Sequence, residues 1–266
     1  MYIKRLLEQQ IKKRLFKGKV LVIYGPRQAG KTTLIKHIVA DFADSVRYID
    51  CELLANNELL ARRDTAEIFS LVKGYKIVVF DEAQTVKGIG SVLKSLFDHH
   101  PEVQYIATGS SSFDLANEVS EPLTGRSIEY TLYPLGLTEL AFNEFDAEKS
   151  LAGIMRFGGY PGIQNETEAE KIIQLNTLVS QYLYKNVLST EGFRKPELVI
   201  SLLKLLAFQI GNEVSYRELS STLGTSVATI QKYISLLEKN YVITRIGSYS
   251  KKPAQRSCKI KENIFY

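Results

Sequence analysis

Gly25-Pro26-Arg27-Gln28-Ala29-Gly30-Lys31-Thr32 fits the pattern G-x-x-x-x-G-K-[ST], and its reading decides how the rest of the chain is understood. A loop of this kind must turn its backbone N–H groups inward to form a concavity for an anion. Its glycines supply dihedrals that a Cβ would penalise. The lysine reaches the outer phosphates of a polyphosphate, and the hydroxyl that follows it faces a divalent cation. The candidate phosphate-binding set is therefore Gly25, Pro26, Arg27, Gln28, Ala29, Gly30, Lys31, Thr32 and Thr33. The flanks agree with that reading. Lys19 to Tyr24 is a short apolar run of the kind a buried parallel strand shows. After the loop, Leu34, Ile35, Ile38 and Val39 fall at helical spacing. Strand, glycine loop and helix together place bound phosphate on a helix N-terminus.

Working outward, the first half alternates apolar runs with helical patterns, which predicts a parallel α/β sheet. The strand candidates after the first are Val46–Ile49, Ile77–Phe80, Val103–Ala107 and Ile128–Leu132, with helices over Ala66–Lys73 and Ser91–Asp98. Pro134 breaks this rhythm. The expected domains are a P-loop ATPase domain over 1–135, a helical linker region over 136–211 and a winged-helix domain over 212–266. A long helix is expected from Glu168 to about Leu188, after the Gly158-Gly159-Tyr160-Pro161-Gly162 turn.

Phosphoryl chemistry needs a metal on the outer phosphates and, for hydrolysis, an oriented water. The third strand ends in Asp81-Glu82, the Walker B arrangement. Asp81 and Thr32 are the candidate Mg²⁺ ligands, and Glu82 the base that polarises the water. No guanine-reading N-K-x-D string is present. The Asp81-Glu82-Ala83-Gln84 string invites comparison with helicases, but those need two such sheets facing across a cleft, and the chain has residues for one. The fourth strand ends in Thr108-Gly109-Ser110-Ser111, at the carboxyl edge where open sheets collect ligands. Ser110 is the candidate γ-phosphate sensor, with Thr108 as the substitute. Arg126, before the fifth strand, is a candidate arginine finger acting in its own subunit or a neighbour's. The bland alternative for it is a surface ion pair. Asp50 and Glu52 close the second strand on the same ligand edge and are minor candidates for contact with Mg²⁺ or its waters.

With 266 residues, 45 % of them hydrophobic, the chain can build one large domain and a smaller one. No apolar stretch is long enough to span a membrane, and Met1–Arg5 passes directly into an amphipathic pattern rather than a signal-peptide core. Two distant cysteines and three histidines form no metal pattern, which fits a reducing, cytoplasmic setting. Residues 1–159 hold 20 basic and 20 acidic side chains, and residues 160–266 hold 14 and 9, the whole of the net +5. A basic C-terminal part raises the case for an anionic partner such as DNA.

Val214 to Ile246 reads as a winged helix-turn-helix. Tyr216–Thr222 is its first helix, Leu223-Gly224-Thr225 the turn, and Ser226 the N-cap of a second helix with Val227, Ile230, Ile234 and Leu237 on one face. Tyr241–Ile246 would be a wing strand pairing with Ile260–Tyr266 across a tip containing Lys251, Lys252 and Arg256. Ser226, Thr229, Gln231 and Lys232 are the positions that would face a major groove. The 245–261 segment, with six basic residues and no acidic one, is the stronger candidate for DNA contact. A module used only for packing or self-association is the equal alternative.

Taken together, these residues resemble a family of prokaryotic AAA-type (ASCE P-loop) ATP-binding proteins with an uncharacterised C-terminal region. The resemblance rests on the Gly25–Thr33 loop, Asp81-Glu82-Ala83-Gln84, Thr108-Gly109-Ser110, the Leu-x-Gly-Arg string ending at Arg126, Tyr133-Pro134-Leu135 and the Gly158–Pro161 turn. It implies an ATPase core, a helical and winged-helix region, and then a nuclease-like domain. The sequence stops at Asn263–Tyr266, inside a strand pattern, and a partial sequence is expected. No acidic-acidic-lysine cluster carries the nuclease role over. The resulting expectation is a Mg²⁺-dependent ATPase of low turnover acting as a switch, a candidate for homo-oligomerisation. Its alternatives are a DNA-binding regulator with a structural nucleotide and an ATP-driven assembly module.

Overall fold

The computed structural model describes residues 2–110, 122–141, 144–180, 195–247 and 260–265. Its contacts divide the chain into two compact units, Met1–Gln164 and Asn165–Tyr266.

The first unit is built on five parallel strands, β1 (Val20–Tyr24), β2 (Val46–Asp50), β3 (Ile77–Asp81), β4 (Gln104–Gly109) and β5 (Ser127–Thr131), in the order β2-β3-β4-β1-β5. β1 and β4 are buried along their whole length, which is why they read in sequence as unbroken apolar runs. Helices α1 (Leu6–Lys12), α2 (Lys31–Ile38), α3 (Leu54–Arg62), α4 (Thr65–Val72) and α5 (Ile89–His99) accompany the sheet. A core of Ile11, Leu21, Ile23, Leu34, Ile35, Ile38, Ile77, Val79 and Ile106 joins α1 and α2 to it. Each such side chain contributes about 1.5–3 kcal/mol through burial. Local capping sets the helix ends. Asp64 accepts from the N–H groups of Ala66 and Glu67, which starts α4 at Thr65. Gly88, at φ 76°, starts α5 two residues before the Ser91 expected from periodicity.

The rhythm of the sequence breaks at Pro134, yet the first unit continues to Gln164. Helices α6 (Leu137–Leu140) and α7 (Glu144–Phe157) and a short 3₁₀ turn at Pro161–Ile163 belong to it. The reason is a backbone lock. The Leu135 N–H donates to the Gly159 carbonyl at 2.6 Å. The two segments lie so close that a Cβ on Gly159 would sit 2.1 Å from the Leu135 oxygen. Tyr160 and Ile163 are buried behind this contact.

In the second unit, α8 (Glu168–Leu178) starts on a Thr167 cap. The expected extension to Leu188 runs beyond the described residues. Helices α9 (Pro196–Phe208), α10 (Tyr216–Thr222) and α11 (Val227–Lys239) are followed by β6 (Ile243–Gly247), antiparallel to β7 (Ile260–Phe265). Ser226 caps α11, accepting from the Thr229 N–H at 3.1 Å. Val199, Leu202, Leu206, Leu219, Ile230, Ile234, Leu237 and Ile243 form the core of this unit. β6 begins two residues later than the apolar run at Tyr241 indicates. Tyr241 takes a left-handed φ of 56°, and its N–H and that of Val242 close the end of α11 on the carbonyls of Glu238 and Leu237. The basic tip with Lys251, Lys252 and Arg256 lies outside the described residues.

Candidate functional site

The carboxyl edge of the sheet gathers the loop and the acids. β1 ends at Tyr24, and the loop that follows is held in conformations few side chains accept, with Gly25 at φ 153°, Gln28 at φ 62° and Gly30 at φ 91°. The first glycine is required by packing as well as by φ. A Cβ there would lie 2.1 Å from the Leu132 carbonyl oxygen at the end of β5. Gly30 caps α2, so the loop ends on the positive pole of that helix.

Lys31 is 4 % exposed. Its Nζ donates to the carbonyls of Gly25 at 2.9 Å and Pro26 at 3.1 Å, and it lies 3.9 Å from a Glu82 oxygen. Burial holds its pKa below the ordinary lysine value, while Glu82 and Asp81 pull it back up. The Thr32 hydroxyl donates to Asp81 Oδ2 at 2.7 Å. Of the remaining loop residues, Pro26 and Ala29 are buried, Gln28 and Thr33 are exposed, and Arg27 pairs with Glu52 at 3.1 Å. Asp50 accepts from the Glu52 N–H on the same edge.

β4 lies between β1 and β3 and carries its own contribution to the edge. Thr108 donates from its hydroxyl to Asp81 Oδ1 and accepts from the Glu82 N–H. Ser110 reaches the acids through Gln84, whose Nε2 bridges Glu82 Oε2 at 2.6 Å and Ser110 Oγ at 3.1 Å. Glu82 is held at a left-handed φ of 50°, a strained backbone of the kind that persists where its surroundings enforce it. Lys31, Thr32, Asp81, Glu82 and Ser110 are thus brought together, with Thr108 touching the acids directly. Ser111 lies outside the described residues.

Arg126 is not brought to them within this chain. It precedes β5, and its carbonyl accepts from the Val20 N–H at the start of β1. That places it on the amino edge, about 16 Å of strand away from the loop. There it forms an exposed ion pair with Asp98 at 2.8 Å.

Three residues at or behind the site escape a sequence reading. Arg5 donates to the Ala29 carbonyl inside the loop at 2.8 Å, to the Tyr133 carbonyl, and to Glu139 at 3.1 Å. Gln84 stands in the quoted motif with no role given to it. Glu139 has a local sign, since it stands three residues after Gly136 and accepts from that residue's N–H. The contact with Arg5 spans 134 residues and has none.

An α/β parallel sheet with a glycine loop on its first strand and paired acids on its third defines a P-loop nucleotide-binding fold. Residues 17–141 match the family model described as an AAA domain, and over that stretch the chain is similar to AAA-type P-loop proteins. Residues 148–265 match the model of a domain of unknown function, DUF8612. No curated protein sequence matches the chain. Among solved structures, the Thermotoga maritima RuvB Holliday junction branch migration motor is 17 % identical, with a TM-score of 0.40, covering 92 % of this chain and 90 % of that one. Domain III of the Thermotoga maritima replication initiation protein DnaA is 18 % identical, with a TM-score of 0.41, covering 89 % and 93 %. Pif1 helicase from Candida albicans is 14 % identical, with a TM-score of 0.37, covering 80 % and 56 %. Among the described residues, no group of three or more His, Cys, Asp or Glu converges on a metal position, and no helix is long and apolar enough to cross a membrane.

Proposed function

We propose that the first unit binds ATP with Mg²⁺ and hydrolyses it, using the change in bound phosphate as a conformational switch. The observation that carries this reading is the 2.7 Å bond between Thr32 Oγ1 and Asp81 Oδ2 beside the buried Lys31. Two hard oxygens held at that separation suit Mg²⁺, which takes one or two protein oxygens and completes its shell with phosphates and water. When bound, the ion neutralises charge on the phosphate oxygens. The loop N–H groups between Gly25 and Thr33 would hold the inner phosphates. Lys31, whose ammonium donates to the Gly25 and Pro26 carbonyls, would redirect those hydrogen bonds to the outer ones. Glu82 would accept a proton from the attacking water while Gln84 holds its other oxygen. Thr108 positions Asp81 and the Glu82 backbone, and Ser110 reports on the acids through Gln84. Lys31→Ala is expected to abolish ATP binding in titration calorimetry, and wild-type affinity would refute the phosphate assignment. Glu82→Gln is expected to retain binding and stop phosphate release. Persistent release would mean another base is at work.

For the second unit we propose a winged helix-turn-helix formed by α10, α11 and the β6–β7 pair. The burial of Ile230, Tyr233, Ile234 and Leu237 on one side of α11 supports it, because Ser226, Gln231 and Lys232 are left exposed on the other. A gel-shift with duplex DNA and steep salt dependence is the test. Binding that is absent at low salt would leave the module to protein contacts.

A further inference from the structure

Arg5 is 5 % exposed and the Glu139 side chain 8 %. A charged pair so thoroughly withdrawn from water calls for an explanation, since burying it costs more than surface pairing returns. Glu139 accepts from Arg5 Nε and from the N–H groups of Leu6 and Gly136. The two remaining arms of the guanidinium go to main-chain oxygens, one in the phosphate loop at Ala29 and one after β5 at Tyr133. A Cβ on Gly30 would come within 3.8 Å of Arg5 Nη1 and 3.7 Å of Pro161, so the guanidinium lies directly behind the end of the loop.

The geometry of the peptide bond turns this contact into a functional one. In a planar trans peptide the C=O and the next N–H point in opposite directions. Holding the Ala29 oxygen outward, onto Arg5, therefore turns the Gly30 N–H inward, to the concave side of the loop. We propose that Arg5 is a positioning residue of the phosphate nest, setting the Ala29–Gly30 peptide so that its N–H serves a bound phosphate. The inference rests on the reading of residues 25–33 as that nest. The charge of Arg5 is matched by Glu139, so its role is geometric: a planar fork reaches two carbonyls and a carboxylate at once, which a lysine ammonium on a flexible stem does not.

Two variants test this in the full chain. Arg5→Lys keeps the charge opposite Glu139 and removes the fork. Arg5→Met with Glu139→Gln removes both charges while leaving acceptors for the Leu6 and Gly136 N–H groups. Each is expected to melt near the wild-type temperature and to bind ATP, ADP and tripolyphosphate at least tenfold more weakly in titration calorimetry. Phosphate release should show a raised KM for ATP with kcat retained, because Thr32, Asp81 and Glu82 are untouched. Lys31→Ala is measured alongside. If it abolishes ATP binding while both Arg5 variants bind within twofold of wild type, the positioning role is wrong and the nest stands. If Lys31→Ala binds normally, the nest reading has failed and this inference fails with it. Loss of fold and binding together in both Arg5 variants would assign Arg5 to the fold alone and overturn the proposal.

Discussion

Replacing Gly25 by Ala probes the join between the loop and the sheet. The new Cβ would stand 2.1 Å from the Leu132 carbonyl oxygen and 3.1 Å from its carbon, so the ends of β1 and β5 must part by more than about 1 Å to reach ordinary contact. That movement strains the bond from the Leu132 N–H to the Tyr24 oxygen, now 2.7 Å. Overpacking costs about 1–3 kcal/mol. Holding Ala at this glycine's φ of 153° adds roughly another 1–3 kcal/mol. A weakened buried hydrogen bond adds about 1 kcal/mol. The total, on the order of 3–7 kcal/mol, is a large part of the stability of an ordinary domain. Gly125→Ala is the matched control, because its φ is 74° and nothing lies within 4 Å of its Cβ position. It should cost only about 1–2 kcal/mol. Urea unfolding followed by circular dichroism, with midpoints compared at unchanged slope, reads both. Equal midpoints for the two variants would show that the clash is absorbed and that packing does not explain the glycine at position 25.

Cys51 is fully buried, and its thiol is pushed up to about 12, by burial first and then by Asp50, Asp81 and Glu82. In a Cys258→Ser background it should react with a thiol probe at pH 8 at least tenfold more slowly than a free thiol, and rapid labelling of folded protein would contradict that burial. Arg126→Ala removes an exposed ion pair worth at most about 1 kcal/mol and should leave ATP turnover unchanged. A tenfold fall in a folded variant would return Arg126 to the site as a residue supplied by a neighbouring copy. Arg245, one of the six basic residues between 245 and 261, is engaged by Glu238, which holds its side chain and its N–H. Glu238→Gln should free it for a phosphate, and the slope of log affinity for DNA against log salt should steepen by about 1. An unchanged slope would take Arg245 out of any DNA surface.

Much of the first unit is legible in the sequence because buried parallel strands are uniform apolar runs and helix caps are local. All five strands lie within two residues of where those runs place them, and the Ser226 cap falls where its hydroxyl indicates. Contacts between distant residues carry no such local sign. Nothing near Arg5 marks it as a partner of Ala29 and Glu139, and nothing at Pro134 tells that Gly159 returns to lock Leu135. The placing of Arg126 is a different case. A residue just before a parallel strand sits at its amino end, on the edge opposite a loop that follows a strand, so the pattern that located β5 already separated Arg126 from the nest. Thr108 touches the acids directly for a reason only register supplies, since Phe80 pairs with Ala107 and brings the next residue of each strand, Asp81 and Thr108, alongside one another.

The Gly158–Ile163 turn ends on Gln164, whose side-chain amide donates back to the carbonyls of Gly158 and Tyr160. Pro161 of that same turn lies against Gly30. The covalent leash to the second unit therefore leaves the first from atoms that abut the nest. Thermodynamic linkage makes any traffic along it two-way. If an anion in the loop shifts the turn, anything that fixes the turn must in return alter the affinity of the loop for that anion.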